Sequence, residues 1–285
     1  MRKEQEMFDL ILGFAKADER VRAVLINGSR ANPAARRDIF QDYDISYFVN
    51  ETESFVRDLS WLDIFGERLI MQMPWTFSTE TEKYINFLMQ FMDGTRIDLS
   101  LELDAGVKPD SDGLNIVLLD KDGIFENIAP PSDSVYHINE PTAQRFFEVC
   151  NEFFWVSCYA AKGLWRNEPT YALEIRDHYM REALDEMSGW YIGITRGFEH
   201  SIGKAGKNLG FLLPREIWRE YLGTYSGAET ADIWQSLFKM VELFKSFARV
   251  VAENFGFTCD ADKWEKVGGF LRDVEKLPQD ATDIR

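Results

Sequence analysis

Cysteine is scarce in this chain: Cys150, Cys158 and Cys259 are all there is in 285 residues. None falls in a C-x-x-C pair, and an odd number leaves one over in any disulfide scheme, so the expectation is a reducing, cytoplasmic compartment. Cys150 and Cys158 sit in an aromatic helical run and read as small buried hydrophobes. Histidine is equally thin, with His137, His178 and His200 too widely spaced for a zinc signature. No window of eighteen uncharged apolar residues occurs, and the charged opening Met1 to Glu6 is not of signal-peptide type, so neither a membrane span nor a leader is expected. Basic residues are also in short supply. Thirty-two Lys and Arg face 48 Asp and Glu, a formal net charge of −16, which argues against nucleic acid as a partner because binding its backbone relies on cationic side chains. Such a field suits a cationic small substrate, although acidity also serves solubility alone.

A composition 45% hydrophobic and 14% aromatic is ample for one large or two ordinary domains. The chain is organised around one stretch. Val21 to Ile26 reads as a buried strand, broken at once by Gly28-Ser29. Glycine lets the backbone turn and lets a phosphate approach main-chain N–H groups, and Ser29 adds a hydroxyl. Arg30 abuts this loop and is a candidate phosphate contact, with Arg36 and Arg37 reading as solvated loop charges. Beyond it, Asp42 and Asp44 are two apart in a strand-like alternation, so both carboxylates leave one face. A third acid, Asp98, lies inside the strand pattern Arg96-Ile97-Asp98-Leu99-Ser100-Leu101, an awkward place for a carboxylate unless it is paired or bound to a cation. Three carboxylates and a phosphate loop describe a two-metal site for phosphoryl or nucleotidyl transfer, with oxygen ligands holding divalent ions.

Residues 3 to 16 read as an amphipathic helix. Trp61 to Gly66 reads as a short helix, and Glu67 to Met73, Tyr84 to Met92, Thr95 to Leu101 and Asn115 to Asp120 read as strands. Asp93-Gly94 is a hairpin signal that presents Asp98. Residues 75 to 82 read as a loop at the mouth of the site. Ala129-Pro130-Pro131-Ser132-Asp133 has linker composition, and helical periodicity dominates after it: residues 142 to 166, 170 to 197, a segment following Pro214, and 230 to 254. The expectation is an α+β chain, with a mixed-sheet domain over residues 1–135 and an α-helical bundle over 136–285. Gly203-Lys204-Ala205-Gly206-Lys207 reads either as an ordinary helix connection or as a lysine-bearing loop for polyphosphate.

Gly28-Ser29, twelve intervening residues, Asp42-x-Asp44 and a later strand Asp resemble the nucleotidyltransferase superfamily that includes DNA polymerase β. A wider set adds Glu4-Gln5-Glu6-Met7, Phe40-Gln41-Asp42-Tyr43-Asp44-Ile45, Ile97-Asp98-Leu99, Cys150-Asn151-Glu152-Phe153, Lys162-Gly163-Leu164 and Ser201-Ile202-Gly203-Lys204. Together these are similar to the aminoglycoside 6-adenylyltransferases over nearly the whole chain. The resemblance implies transfer of AMP from ATP to a hydroxyl of an aminoglycoside such as streptomycin, by a chain acting as a monomer or homodimer. It implies two Mg²⁺ ions on Asp42, Asp44 and Asp98, with Asp98 as base and Gly28, Ser29, Arg30, Lys204 and Lys207 toward the nucleotide. Glu152 and Glu174 are the candidates for cationic groups of the acceptor. The residues alone leave open an adenylyltransferase for another hydroxyl, or a nucleotide-binding module without catalysis.

Overall fold

The alternation Tyr43, Ile45, Tyr47, Val49 decides the architecture of the first half of the chain. In the computed structural model, which describes residues 1–72, 84–103, 113–123, 125 and 128–284, the chain divides into two units, Met1–Val135 and Tyr136–Arg285. The first unit runs α1 (Glu4–Ala17), β1 (Val21–Asn27), the single turn α2 (Gly28–Ala31), β2 (Tyr43–Val49), α3 (Glu53–Arg57), β3 (Arg68–Gln72), β4 (Tyr84–Phe91), β5 (Arg96–Leu103) and β6 (Asn115–Asp120). Among the described residues six strands form one sheet in the order β3-β4-β5-β2-β1-β6. Among these strands β2 and β5 pair in parallel, with Asp44 opposite Asp98, and the other described pairs are antiparallel, so the sheet is mixed.

Because strand side chains alternate, each face has its own chemistry. Tyr43, Ile45, Tyr47 and Val49 of β2 and Ile97, Leu99 and Leu101 of β5 are buried against Met7, Ile11 and Ala15 of α1. The Tyr47 hydroxyl donates to the Ile11 carbonyl at 2.7 Å, so the helix is fixed to the sheet by a hydrogen bond as well as by packing. The opposite face is polar around the middle of the sheet. There Asn27 Nδ2 donates to Ser46 Oγ at 2.9 Å, and Ser46 and Ser100 hydroxyls meet at 3.0 Å. The expected hairpin at Asp93-Gly94 joins β4 to β5, with Gly94 at φ +86°. Asp93 accepts from the Thr95 amide at 3.0 Å and from Arg2 Nε at 2.9 Å, pinning the N-terminus to the turn. The short helix expected before Gly66 is a 3-10 segment, Leu59–Phe65, ended by Gly66 at φ +109°. The loop expected over 75 to 82 lies outside the described residues.

The second unit is helical: α4 (Ala143–Trp165), α5 (Pro169–Glu174), α6 (Arg181–Arg196), α7 (Leu209–Leu212), α8 (Arg215–Leu222), α9 (Thr230–Phe255) and α10 (Ala261–Lys276). Thr142 caps α4 by accepting from the Arg145 amide, and Pro169 opens α5 with the φ a first helical turn needs. The apolar faces of α4 and α9 bury Phe146, Phe153, Leu164, Leu237, Phe244 and Val251 in one core. Phe153 and Phe244 stack face to face, 3.8 Å apart. Cys150 is buried with its thiol pushed up to about 12 by the apolar surroundings, but Cys158 is only half-buried, so the reading as a buried hydrophobe holds in full for Cys150 alone.

Two features depart from the helical periodicity. The long helix expected over 170 to 197 is interrupted by a π-helical turn, Ile175–Met180. At that turn Arg176 is 1% exposed, and its guanidinium is satisfied by Asp177, Ser226 and Ser236. α10 lies within the expected helical half but beyond its last named segment, and it carries Gly268-Gly269 in its interior, where glycine lowers helix propensity. Its glycine has a packing reason: a Cβ at Gly268 would stand 3.3 Å from Nζ of the fully buried Lys245, which Glu242 and Glu265 neutralise. Among the described residues no helix is long and apolar enough to cross a membrane.

Phe153→Ala removes one ring of the central stack and leaves a cavity where neither α4 nor α9 can collapse. The expected loss of unfolding free energy is about 3–5 kcal/mol, read from denaturant melts.

Candidate active site

Parallel pairing of β2 and β5 sets Asp44 and Asp98 side by side on the polar face of the sheet. Asp42 lies one residue before β2, two positions from Asp44, and the three carboxylates are close enough to act on one another electrostatically. Burial raises the Asp44 carboxyl to about 6, and the charges of Asp98 and Asp42 push in the same direction. Burial also raises Asp42, opposed by the nearby Arg96. At strand spacing, about 5 Å, and an effective dielectric of about 20, two adjacent carboxylates repel by about 3 kcal/mol. Their counter-charge is Arg96. Its Nε and Nη2 donate to the two oxygens of Asp98, each at 2.7 Å, and Nε stands 3.6 Å from Asp42.

Gly28 fits against this cluster from the end of β1. It has φ +61°, and a Cβ there would stand 2.5 Å from Asp44 Oδ2, so a side chain at this position would fill the space beside the carboxylate. The Gly28 amide donates to the Leu114 carbonyl at 3.1 Å, which makes it a spacing residue rather than a ready donor. Ser29 follows in the single turn α2, half-buried, with its carbonyl accepting from Gln41 Nε2 at 2.9 Å. It does not cap that turn; Asn27 holds the cap position.

Arg30 has a different position from the one its sequence suggests. Its Nε and Nη2 donate to the carbonyls of Asp42 at 2.9 Å and Gln41 at 2.8 Å, Nη1 pairs with Glu4 at 2.7 Å, and the guanidinium lies 3.7 Å over the Tyr43 ring. Its donors are committed to the backbone that carries Asp42, and its side chain is only 10% exposed. The geometry gives it a positioning role. A cavity of about 870 Å³ opens beside these residues, lined by Arg30, Arg37, Phe40, Asp42 and Arg96.

The other sequence-predicted residues lie in the second unit. Lys204 and Lys207 are exposed on a tight turn in which Gly203, Ala205 and Gly206 all have positive φ, +73°, +52° and +69°. The turn closes on its own amides: Gly203 N–H donates to Ser201 Oγ at 3.1 Å, Gly206 N–H to the Gly203 carbonyl at 3.1 Å, Lys207 N–H to the Lys204 carbonyl at 3.3 Å and Asn208 N–H to the Ile202 carbonyl at 2.9 Å, so the two lysine side chains rather than the backbone face solvent. Ala205 is there without glycine's freedom, which is local strain. Glu152 and Glu174 are both exposed, on α4 and at the end of α5. The antiparallel register set by Arg145 with Glu186, and by Gly163 against Tyr171, separates them by about 10 Å along the helix axes. The structure therefore does not gather them into one acidic contact.

An all-carboxylate donor set of high charge fits a hard divalent cation such as Mg²⁺, and the space left by Gly28 beside Asp44 is consistent with one. Among the described residues no three acidic, His or Cys side chains are arranged to enclose an ion, and the Arg96 guanidinium lies among the carboxylates instead. Arg96, the cation set among these carboxylates, is the residue that the sequence reading missed. Its signal was present in Arg96-x-Asp98, since an i, i+2 pair in a strand shares one face.

The family model for streptomycin adenylyltransferase matches residues 1–274. The chain belongs to the streptomycin adenylyltransferase family. Similar proteins within it are aminoglycoside 6-adenylyltransferases from Bacillus subtilis (40% identity, covering 90% of this chain and 93% of that one), Campylobacter jejuni (39%; 88% and 89%) and Staphylococcus aureus (36%; 88% and 92%). A crystal structure of an aminoglycoside 6-adenyltransferase from Bacillus subtilis aligns at 35% identity over 97% of this chain and 100% of that chain, with a TM-score of 0.49. Membership of the streptomycin adenylyltransferase family makes the chain an enzyme of the nucleotidyltransferase class.

The raised Asp44 carboxyl has a consequence for stability. An acid whose folded value, about 6, exceeds its unfolded value, about 4, stabilises the fold below the lower value and loses that contribution as pH rises through the higher one. In metal-free buffer, Asp44→Asn is expected to melt above wild type at pH 8, with the gap closing toward pH 4. Thermal denaturation of both proteins across that range measures it.

Proposed function

We propose that this chain transfers AMP from ATP to a hydroxyl of an aminoglycoside, the 6-hydroxyl of streptomycin, at the carboxylate cluster of the first unit. The observation that carries the reading is the pairing of Asp44 with Asp98 on a polar sheet face, with Asp42 beside them and Gly28 leaving room against Asp44. The names of the three relatives support the acceptor class, and the net charge of −16 suits a polycationic acceptor.

On this reading Asp42, Asp44 and Asp98 hold two Mg²⁺ ions, which when bound polarise the acceptor hydroxyl and neutralise charge on the polyphosphate. Asp98 receives the hydroxyl proton as that oxygen attacks the α-phosphorus. The bond from the α-phosphorus to its bridging oxygen breaks, and pyrophosphate leaves with the electron pair. Arg30 keeps Asp42 in place through the carbonyls of residues 41 and 42. Ser29 is assigned to the polyphosphate through its hydroxyl, and Lys204 and Lys207 are the anion-binding candidates of the helical unit. Glu152 and Glu174 are assigned to separate cationic groups of the acceptor, in keeping with their spacing. The mixed-sheet unit is then the nucleotidyltransferase domain and the helical unit the acceptor-binding domain. Cytoplasmic operation fits a reaction that consumes ATP.

Incubation with ATP, Mg²⁺ and streptomycin is expected to give streptomycin heavier by one AMP in mass spectra, with one pyrophosphate released per adduct. Asp42→Asn is expected to abolish the adduct, and Asp98→Asn to slow it by roughly 10² to 10⁴ if proton transfer is its task. ATP turnover that streptomycin does not stimulate would send the search to another acceptor.

A further inference from the structure

The carboxylate site has a cation of its own. Arg96 and Asp98 are two apart on β5, on the same face, and the guanidinium grips both Asp98 oxygens at 2.7 Å while standing 3.6 Å from Asp42. A bidentate pair of this kind is among the stronger polar contacts available to a protein. It uses the very oxygens that an all-carboxylate metal site must offer. The backbone beneath it is anchored: Thr95 is buried and tied to Asp93, which also holds Arg2. The side chain is not anchored in the same way. It is 40% exposed and borders the cavity of about 870 Å³, so the guanidinium has room to turn away while β5 stays in register.

We propose that Arg96 is a resident counter-cation which a divalent ion must displace, and which then becomes a ligand for the polyphosphate that the ion accompanies. This rests on the assignment of Asp42, Asp44 and Asp98 as metal ligands. The ion alone competes with a charge already in place and is held weakly. The ion with nucleotide is held well, because the displaced guanidinium exchanges a carboxylate for phosphate oxygens, a geometry its planar fork matches equally. Metal and nucleotide binding are thereby coupled through one side chain, and the coupling is reciprocal. In the absence of both, the same side chain limits repulsion within the cluster.

The test is a binding cycle, with Mn²⁺ as probe, read by electron paramagnetic resonance or calorimetry and requiring no turnover. Mn²⁺ affinity is measured alone and with a non-hydrolysable ATP analogue, on wild type and Arg96→Gln, with circular dichroism to verify folding. The expected result for Arg96→Gln is Mn²⁺ binding tighter by about tenfold in the absence of nucleotide, the size of one charge-assisted contact removed. The gain on adding the analogue should shrink relative to wild type. Arg96→Lys keeps the charge without the fork, and its Mn²⁺ affinity should lie between the two; it carries the test if the glutamine variant does not fold. Unchanged or weaker Mn²⁺ affinity in the folded variants, or an undiminished gain from nucleotide, overturns the proposal. That failure would leave streptomycin adenylylation by wild type intact, whereas failure of the broader functional reading would remove it.

Discussion

Like charges held side by side are the constraint from which the first unit follows. The parallel register of β2 with β5 puts Asp44 against Asp98, and Asp42 joins them from the end of the loop. A globular core does not tolerate such a group on its apolar side, so the sheet divides its labour: one face carries the tyrosines and aliphatics under α1, the other carries carboxylates and the Asn27, Ser46 and Ser100 hydrogen bonds. The site is thus a product of strand alternation, not of loops alone.

Around that constraint, neighbouring residues serve as supports. Gly28 is required by the closeness of Asp44, and Arg30 spends its donors on the backbone of residues 41 and 42 while stacking on Tyr43. Glu4 of α1 holds the far side of Arg30, which connects the first helix to the position of Asp42. Arg96 supplies the charge that the cluster lacks. The second unit is built on a different principle, aromatic packing between long helices, with buried Arg176 and Lys245 each satisfied by polar partners rather than left bare.

Much of this was legible in the sequence, for reasons that are local. The strand from Val21, the break at Gly28-Ser29, the Asp42-x-Asp44 alternation, the Asp93-Gly94 hairpin and the faces of α4 and α9 all depend on spacing within a few residues. What sequence spacing could not reveal is non-local. The pairing of residues 44 and 98 comes from strand order, and the direction in which Arg30 points is set by Glu4 and Tyr43. The π turn at Ile175–Met180 coincides with a buried arginine whose partners Ser226 and Ser236 are far along the chain. In α10 the packing reason for Gly268, room for Lys245, is visible only once α9 is packed beside it.

On the proposed reading, the three carboxylates on the polar face of this sheet are the metal-bearing reaction centre. Crystals grown with Mn²⁺ and a non-hydrolysable ATP analogue, measured for anomalous scattering, put this to the test. The expected result is anomalous peaks within ligand distance of Asp42, Asp44 and Asp98, with the Arg96 guanidinium turned away from Asp98 and Asp42. Bound nucleotide with manganese located elsewhere, or with none near these residues, would contradict it.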